Sequence, residues 1–184
     1  KNNEIIIPEG GYDYIIDCTG FHLDTSIFKN CIPKHNGKVP KLKSNFESIN
    51  IKNLFFSGVM AQHMSYKKSS SAFIHGFRYL IRSMIKLDTN NLDISIINSK
   101  NGLFDKIFSR INYSSGLFQM FNCLCDIIII EKKSIKYIQE IPIKYVKSHF
   151  LKIYEKVITL KLNYGKYGGI IKNKRNLGKS SYVF

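Results

Sequence analysis

Apolar positions fall into short unbroken runs in the first part of the chain and into mixed periods after residue 72. The segment Tyr12-Asp13-Tyr14-Ile15-Ile16-Asp17-Cys18 is β-branched and aromatic, follows the turn residues Pro8 and Gly10-Gly11, and stops at Thr19-Gly20. That pattern predicts a strand after a short hairpin. Residues 22–48, broken by Pro33, Gly37 and Pro40, read as a connecting excursion. Leu54-Phe55-Phe56-Ser57-Gly58 reads as a second buried strand ending in glycine. Phe73, Phe77, Leu80, Ile81 and Met84 then recur at helical offsets and predict an amphipathic helix over 72–86, capped by Ser69-Ser70-Ser71. Gly76 inside that helix costs about 1 kcal/mol relative to alanine, so its presence predicts close approach of another backbone.

The second half predicts a helix over 102–111, a break at 113–116, and a further helix running into a strand over 126–130. A hairpin strand near Tyr137 and a helix or strand over 146–162 follow. Gly165, Gly168 and Gly169 loosen the tail, and no internal repeat is visible.

With 184 residues, 44% of them hydrophobic, the chain has the apolar content to fold as one domain or as part of a larger one. It contains no run of 18 uncharged apolar residues, so no membrane-spanning helix is expected. The formal charge of +15 invites a nucleic-acid reading through phosphate contacts. However, the lysines are spread over the chain and cluster only at Lys67-Lys68, Lys132-Lys133 and Lys172 to Arg175, without an aromatic-interleaved stripe. Nucleic acid is therefore not the expected partner. Cys18, Cys31, Cys123 and Cys125 lack zinc-site spacing, so no metal is expected. The Cys123-Leu124-Cys125 pair sits in an apolar stretch and reads as buried thiols. The chain opens Lys1-Asn2-Asn3 with no apolar leader, and the expectation is a chain that has lost its start.

Two strands ending in glycine, the second leading to a serine-capped helix, are what a doubly wound sheet offers to a phosphate-bearing ligand. In such a sheet the ligand lies outside the carboxyl ends of the strands, where Thr19-Gly20 and Gly58-Val59 would meet.

The residues themselves sharpen this picture. Tyr14 to Phe21, with its Thr-Gly pair, resembles the second FAD-binding signature of two-dinucleotide-domain flavoproteins, and Asn53 to Val59 resembles their late signature. The run from Tyr66 through Phe73-Ile74-His75-Gly76-Phe77-Arg78-Tyr79 is similar to a narrower group, the FAD-dependent oxidoreductase domain-containing proteins. That group is related to flavin-containing monooxygenases and has a eukaryotic branch in the endoplasmic reticulum. Arg110-Ile111-Asn112, Ser115 to Phe121, and Leu160 to Gly165 are similar to that group's C-terminal extension, so the resemblance runs over nearly the whole chain.

The resemblance implies an α/β fold: the C-terminal part of a two-dinucleotide-binding-domain flavoprotein, with a Rossmann-like FAD domain. Residues 1–87 would close that domain, and residues 88–184 would form a family-specific α+β extension. No GxGxxG occurs, so the pyrophosphate loop would lie in a missing N-terminal part. By the same resemblance, Thr19, Gly20, Gly58 and Val59 approach FAD, and the N–H groups around Ser71 and Ala72 face the pyrimidine end of the flavin. Val59 stands where many relatives have an aspartate that binds a ribityl hydroxyl, which removes one side-chain contact.

The implied activity is that of a FAD-dependent oxidoreductase of monooxygenase type, with NADPH as electron donor and a small-molecule substrate that cannot be read. The alternative is a non-catalytic flavin-fold module that binds protein partners. Location in the endoplasmic-reticulum lumen follows from the eukaryotic branch, and a cytoplasmic location from any other. Asn112-Tyr113-Ser114 is a glycosylation sequon that occurs often by chance. His63 is the candidate proton donor on the substrate side, while His75 reads as a packed, hydrogen-bonded histidine. Lys67 and Lys68 read as solvated loop charges.

Overall fold

The computed structural model describes residues 11, 13, 14, 16, 18, 20–64, 69–164 and 180–183. Helix α1 (Ile74–Asp88) leads to strand β1 (Ile94–Ile97), helix α2 (Lys100–Tyr113) and the short helix α3 (Ser115–Gln119). The strands β2 (Leu124–Ile130) and β3 (Ile135–Pro142) come next, then helical residues 143–153, and finally β4 (Val157–Tyr164) and β5 (Ser180–Val183). One sheet runs in the order β1-β3-β2-β4-β5, with every neighbouring pair antiparallel.

The Leu-Cys-Asp-Ile-Ile-Ile-Ile sequence of β2 is nearly continuous in apolar character because this strand is central and buried on both faces as far as Ile129. On one face Leu124, Ile128, Tyr137, Leu160 and Leu162 pack with Tyr79 and Leu80 of α1 and Leu117 of α3. On the other, Cys125, Ile127, Ile129, Ile138 and Ile141 pack with Val146 and Phe150 of the helical residues 143–153. Val146–Phe150 forms a π-helical turn there. Serines set the helix starts that the sequence left approximate. Ser99 Oγ accepts from the Gly102 N–H at 3.0 Å, and Ser114 Oγ accepts from the Leu117 N–H at 3.2 Å, which produces the break between α2 and α3.

The α/β character expected from the sequence is present as helices packed on a sheet, and the described residues form no doubly wound arrangement. Every described strand pairing is antiparallel and lies after residue 93. Neither glycine-ended strand is present among the described residues. Residues 11, 13, 14, 16, 18 and 20 are exposed and outside any strand, while 12, 15, 17 and Thr19 fall outside the described residues. Of residues 54–58, only Phe55 makes a single bridge, to Glu47, and the Phe56 N–H donates to the Phe46 carbonyl at 3.2 Å. Phe46 (φ 71°) and Asn53 (φ 62°) take left-handed conformations that turn the chain before a ladder can extend.

The stretch read as an excursion also carries core. Leu42 and Phe46 join Phe56, Ala61 and Met64 in the cluster that holds α1. Likewise, residues 146–162 are neither one helix nor one strand: the helical residues end at Ile153 and β4 begins at Val157.

Candidate functional site

Two short 3-10 turns, Gly58–Met64 and Ser70–Ala72, pack on each other and against α1. Gly58 opens the first at φ 59° with open space where a β-carbon would stand, so the backbone conformation itself favours glycine there. In α1, Gly76 lies hard against the second turn: a β-carbon would come within 1.9 Å of the Ser70 carbonyl oxygen. The close approach expected from the sequence is therefore real, although the backbone approached is that of Ser70 and not of the sheet.

The serine cap expected for α1 is not made. Phe73 occupies the N-cap position, and no side chain accepts a hydrogen bond from the first turn. Ser71 is instead 1% exposed, and its hydroxyl oxygen has no hydrogen-bond partner. The helix thus starts with uncapped N–H groups and a partial positive charge, next to a buried hydroxyl that is unsatisfied. Buried polar groups without partners are few in folded proteins, and each calls for a cause such as a missing ligand.

Gly58-Val59 and Ser71-Ala72 belong to two turns that pack on each other and on α1, with Val59 half-buried and Ala72 exposed. Gly20 is exposed at φ 98°, where a β-carbon would lie 3.1 Å from Lys38 Nζ, and no described strand pairing carries it to the other two turns. Thr19, Lys67 and Lys68 lie outside the described residues. His63 sits half-buried in the first turn, and burial, reinforced by the charges of Lys144 and Lys41, holds its pKa below the ordinary histidine value. It is therefore neutral at neutral pH, which suits an acceptor better than the donor expected. His75 is exposed and stacked on Phe73, with ring centroids 5.5 Å apart, instead of packed inside. Cys123 and Cys125 are buried as expected, and burial followed by the Asp126 charge pushes the Cys125 thiol up to about 12, so it is not a nucleophile at neutral pH.

A second cluster escaped the sequence reading. Asp126 is fully buried and accepts four hydrogen bonds: from Arg110 Nε at 2.6 Å and Nη2 at 3.2 Å, from the Tyr137 hydroxyl at 2.9 Å, and from the Glu140 N–H at 2.8 Å. Glu140, 3% exposed, receives Arg82 Nε at 2.8 Å and Arg110 Nη2 at 3.5 Å on its carboxylate. Its carbonyl accepts from Ser83 Oγ at 2.9 Å. Lys86 lies 3.8 Å from the same carboxylate and pairs with Asp93. Burial works to lower the Arg110 pKa, but the hydrogen bond and charge of Asp126, with the charge of Glu140, raise it above the ordinary value.

Glu140 also adopts φ 58° where the β2–β3 register shifts between Cys125 and Ile127. It is an extra residue in a bulge, a place glycine usually takes. Gly116 of α3 makes room for it, since a β-carbon there would fall 2.5 Å from Glu140 Oε1. The available signal was an acid beside apolar strand residues: Asp126 before four isoleucines, and Glu140 between Gln139 and Ile141. Which cations reach them depends on the packing of α1 and α2.

The described residues thus form helices on an antiparallel sheet, with a saturated ion cluster at one end of α1 and no side-chain cap at the other. The chain is 33% identical, over 154 residues and 78% of its length, to mouse FAD-dependent oxidoreductase domain-containing protein 2. It is 32% identical, over 148 residues and 72% of its length, to the zebrafish (Danio rerio) protein of the same name. The chain is homologous to these FAD-dependent oxidoreductase domain-containing proteins and spans 23% and 21% of their lengths, respectively. No family model matches it, and no solved structure does.

The residues present fit one edge of a flavin dinucleotide. Ser71 offers a buried hydroxyl awaiting a partner, α1 offers uncapped N–H groups, and Gly58 opens its turn with nothing within 4 Å of where a β-carbon would stand.

Proposed function

We propose that this chain is the C-terminal part of a FAD-dependent oxidoreductase, with NADPH as donor and a monooxygenase-type reaction on a small molecule. The observation that carries the reading is the buried, unpartnered Ser71 hydroxyl beside the uncapped start of α1. The names of its relatives supply the cofactor. Bound FAD would supply the electron-transfer chemistry, and the protein would position it. In this reading Ser71 Oγ and the Ala72 N–H hold the pyrimidine edge, and the α1 N-terminus stabilises negative charge there. Gly58 and the Val59 N–H line the ribityl side, and His63 stays neutral as a hydrogen-bond acceptor. Residence in the endoplasmic-reticulum lumen belongs to the same proposal.

A second reading, a flavin-fold module that binds other proteins, is favoured by α2, which buries no residue and exposes Phe104 and Phe108 at 60% each. The two readings part on electron transfer. The full-length protein should purify yellow and bleach with NADPH faster than with NADH, whereas a yellow protein that neither nucleotide reduces would favour the module.

Gly58 tests the site itself. At φ 59°, Gly58→Val should cost about 1–2 kcal/mol and lose flavin, whereas asparagine tolerates this conformation, so Gly58→Asn should fold normally. Full flavin content in a folded Gly58→Val protein would remove Gly58 from the site.

A further inference from the structure

Between α1, α3 and the bulge of β3 lies an open cleft of about 510 Å³, lined by Arg78, Arg82, Arg110, Glu140 and the Ser114-Ser115-Gly116 segment. Its charged lining is three guanidiniums to one carboxylate. Two of the guanidiniums are held in place by aromatic and ionic contacts. Arg78 and Arg82 lie one helical turn apart on α1, with their guanidinium carbons 4.8 and 5.3 Å from the centroid of the Tyr79 ring. Arg78 donates to the Tyr79 hydroxyl at 2.8 Å, and Arg82 places both Nε, at 2.8 Å, and Nη2 on the Glu140 carboxylate.

Such bracing matters because an ordinary surface arginine loses rotamer freedom when it binds an anion, and these two are already partly ordered. Donor capacity remains. Arg82 is half-exposed although it contacts Glu140, and Arg78 is exposed with the Tyr79 hydroxyl as its hydrogen-bonded acceptor. Glu140 cannot neutralise the cleft, because Arg110, Arg82 and Lys86 already share it.

We infer that this cleft is an oxyanion site that takes the phosphate group of a small molecule, with Arg78 as its forked donor and the remaining Nη hydrogens of Arg82 beside it. Arg110 is balanced by Asp126, but Arg78 has no carboxylate partner among the described residues and Arg82 shares Glu140 with Arg110 and Lys86, so the rim keeps positive charge for a phosphate, whose oxygens planar guanidiniums bind in pairs. The site is independent of the flavin reading, since it lies along α1 beyond its first turn and uses none of the residues placed at the cofactor.

The test is a titration of inorganic phosphate into the protein, followed by the arginine Nε–H resonances, with acetate as the carboxylate comparison. Phosphate should shift the Arg78 and Arg82 signals and bind at least about tenfold tighter than acetate. Arg78→Gln, whose only described hydrogen-bond partner is a tyrosine hydroxyl, should fold normally and bind phosphate about tenfold more weakly. Arg78→Lys should fall in between, since it keeps the charge and loses the fork. Lys34→Gln removes the same charge outside the cleft and should bind as the wild type does. Unmoved arginine signals, acetate binding equal to phosphate, or equal losses in Arg78→Gln and Lys34→Gln would each overturn the site.

Discussion

The two ends of α1 handle polar groups in opposite ways. At its start, the backbone N–H groups have no side-chain cap and the neighbouring Ser71 hydroxyl is buried without a partner. Further along, Ser83, Arg82 and Lys86 face the sheet and, with Arg110, surround Glu140 and Asp126, whose carboxylates are paired several times over. The same helix therefore carries a satisfied cluster and an unsatisfied one. Saturated polar networks hold a fold in register, whereas hydrogen-bonding capacity left over in a buried place is what a ligand can use.

The strongest way to break this comparison is at the saturated end. Asp126→Ala leaves Arg110, Tyr137 and the Glu140 N–H without their shared acceptor in a fully buried place. It should destabilise by about 3–5 kcal/mol in denaturant unfolding. A loss below about 1 kcal/mol, the range of a surface pair, would mean that the cluster is solvated and not architectural.

Gly76→Ala probes the junction between the two ends. In an open helix this change would stabilise by about 1 kcal/mol. Here the added β-carbon meets the Ser70 carbonyl oxygen at 1.9 Å, so the sign should reverse. A net loss of about 1–3 kcal/mol in a thermal melt is expected from the overpacking. A more stable Gly76→Ala protein would show that α1 does not press on the Ser70–Ala72 turn.

The smallest effect sharpens the comparison most. Ser71→Ala removes a buried hydroxyl that has no partner, so without cofactor it should melt higher, by about 1 kcal/mol. The full-length protein carrying the same change should hold flavin about tenfold less tightly, because there the hydroxyl gains its acceptor or donor. A single substitution would thus raise stability and lower cofactor affinity. Unchanged flavin retention in Ser71→Ala would detach this end of the helix from the cofactor.

Periodicity alone located α1, α2, the break at Ser114, and the β2–β3 hairpin, because each of these is decided by neighbours within a few residues: helical spacing, a capping serine, and an isoleucine run before a polar turn. Gly76 was legible for a related reason, since its helical penalty announces a close contact whatever the partner. The partner was not legible: only the packed chain shows the Ser70 carbonyl there and not the sheet.

The expected strand at Leu54 to Gly58 misled because an apolar run fits a buried strand and a core-filling loop equally well, and the left-handed turns at Phe46 and Asn53 decide between them. Asp126 stood at the start of an expected strand without its partners, and nothing in the sequence pattern singled out Glu140. A carboxylate can be buried only where cations converge, and here Arg82 and Arg110 come from helices 58 and 30 residues away from Glu140 in the chain. The local character of the elements was therefore written in the sequence, whereas the location of buried charge and unsatisfied hydroxyl was settled by long-range packing, which sums contacts that no short window of sequence contains.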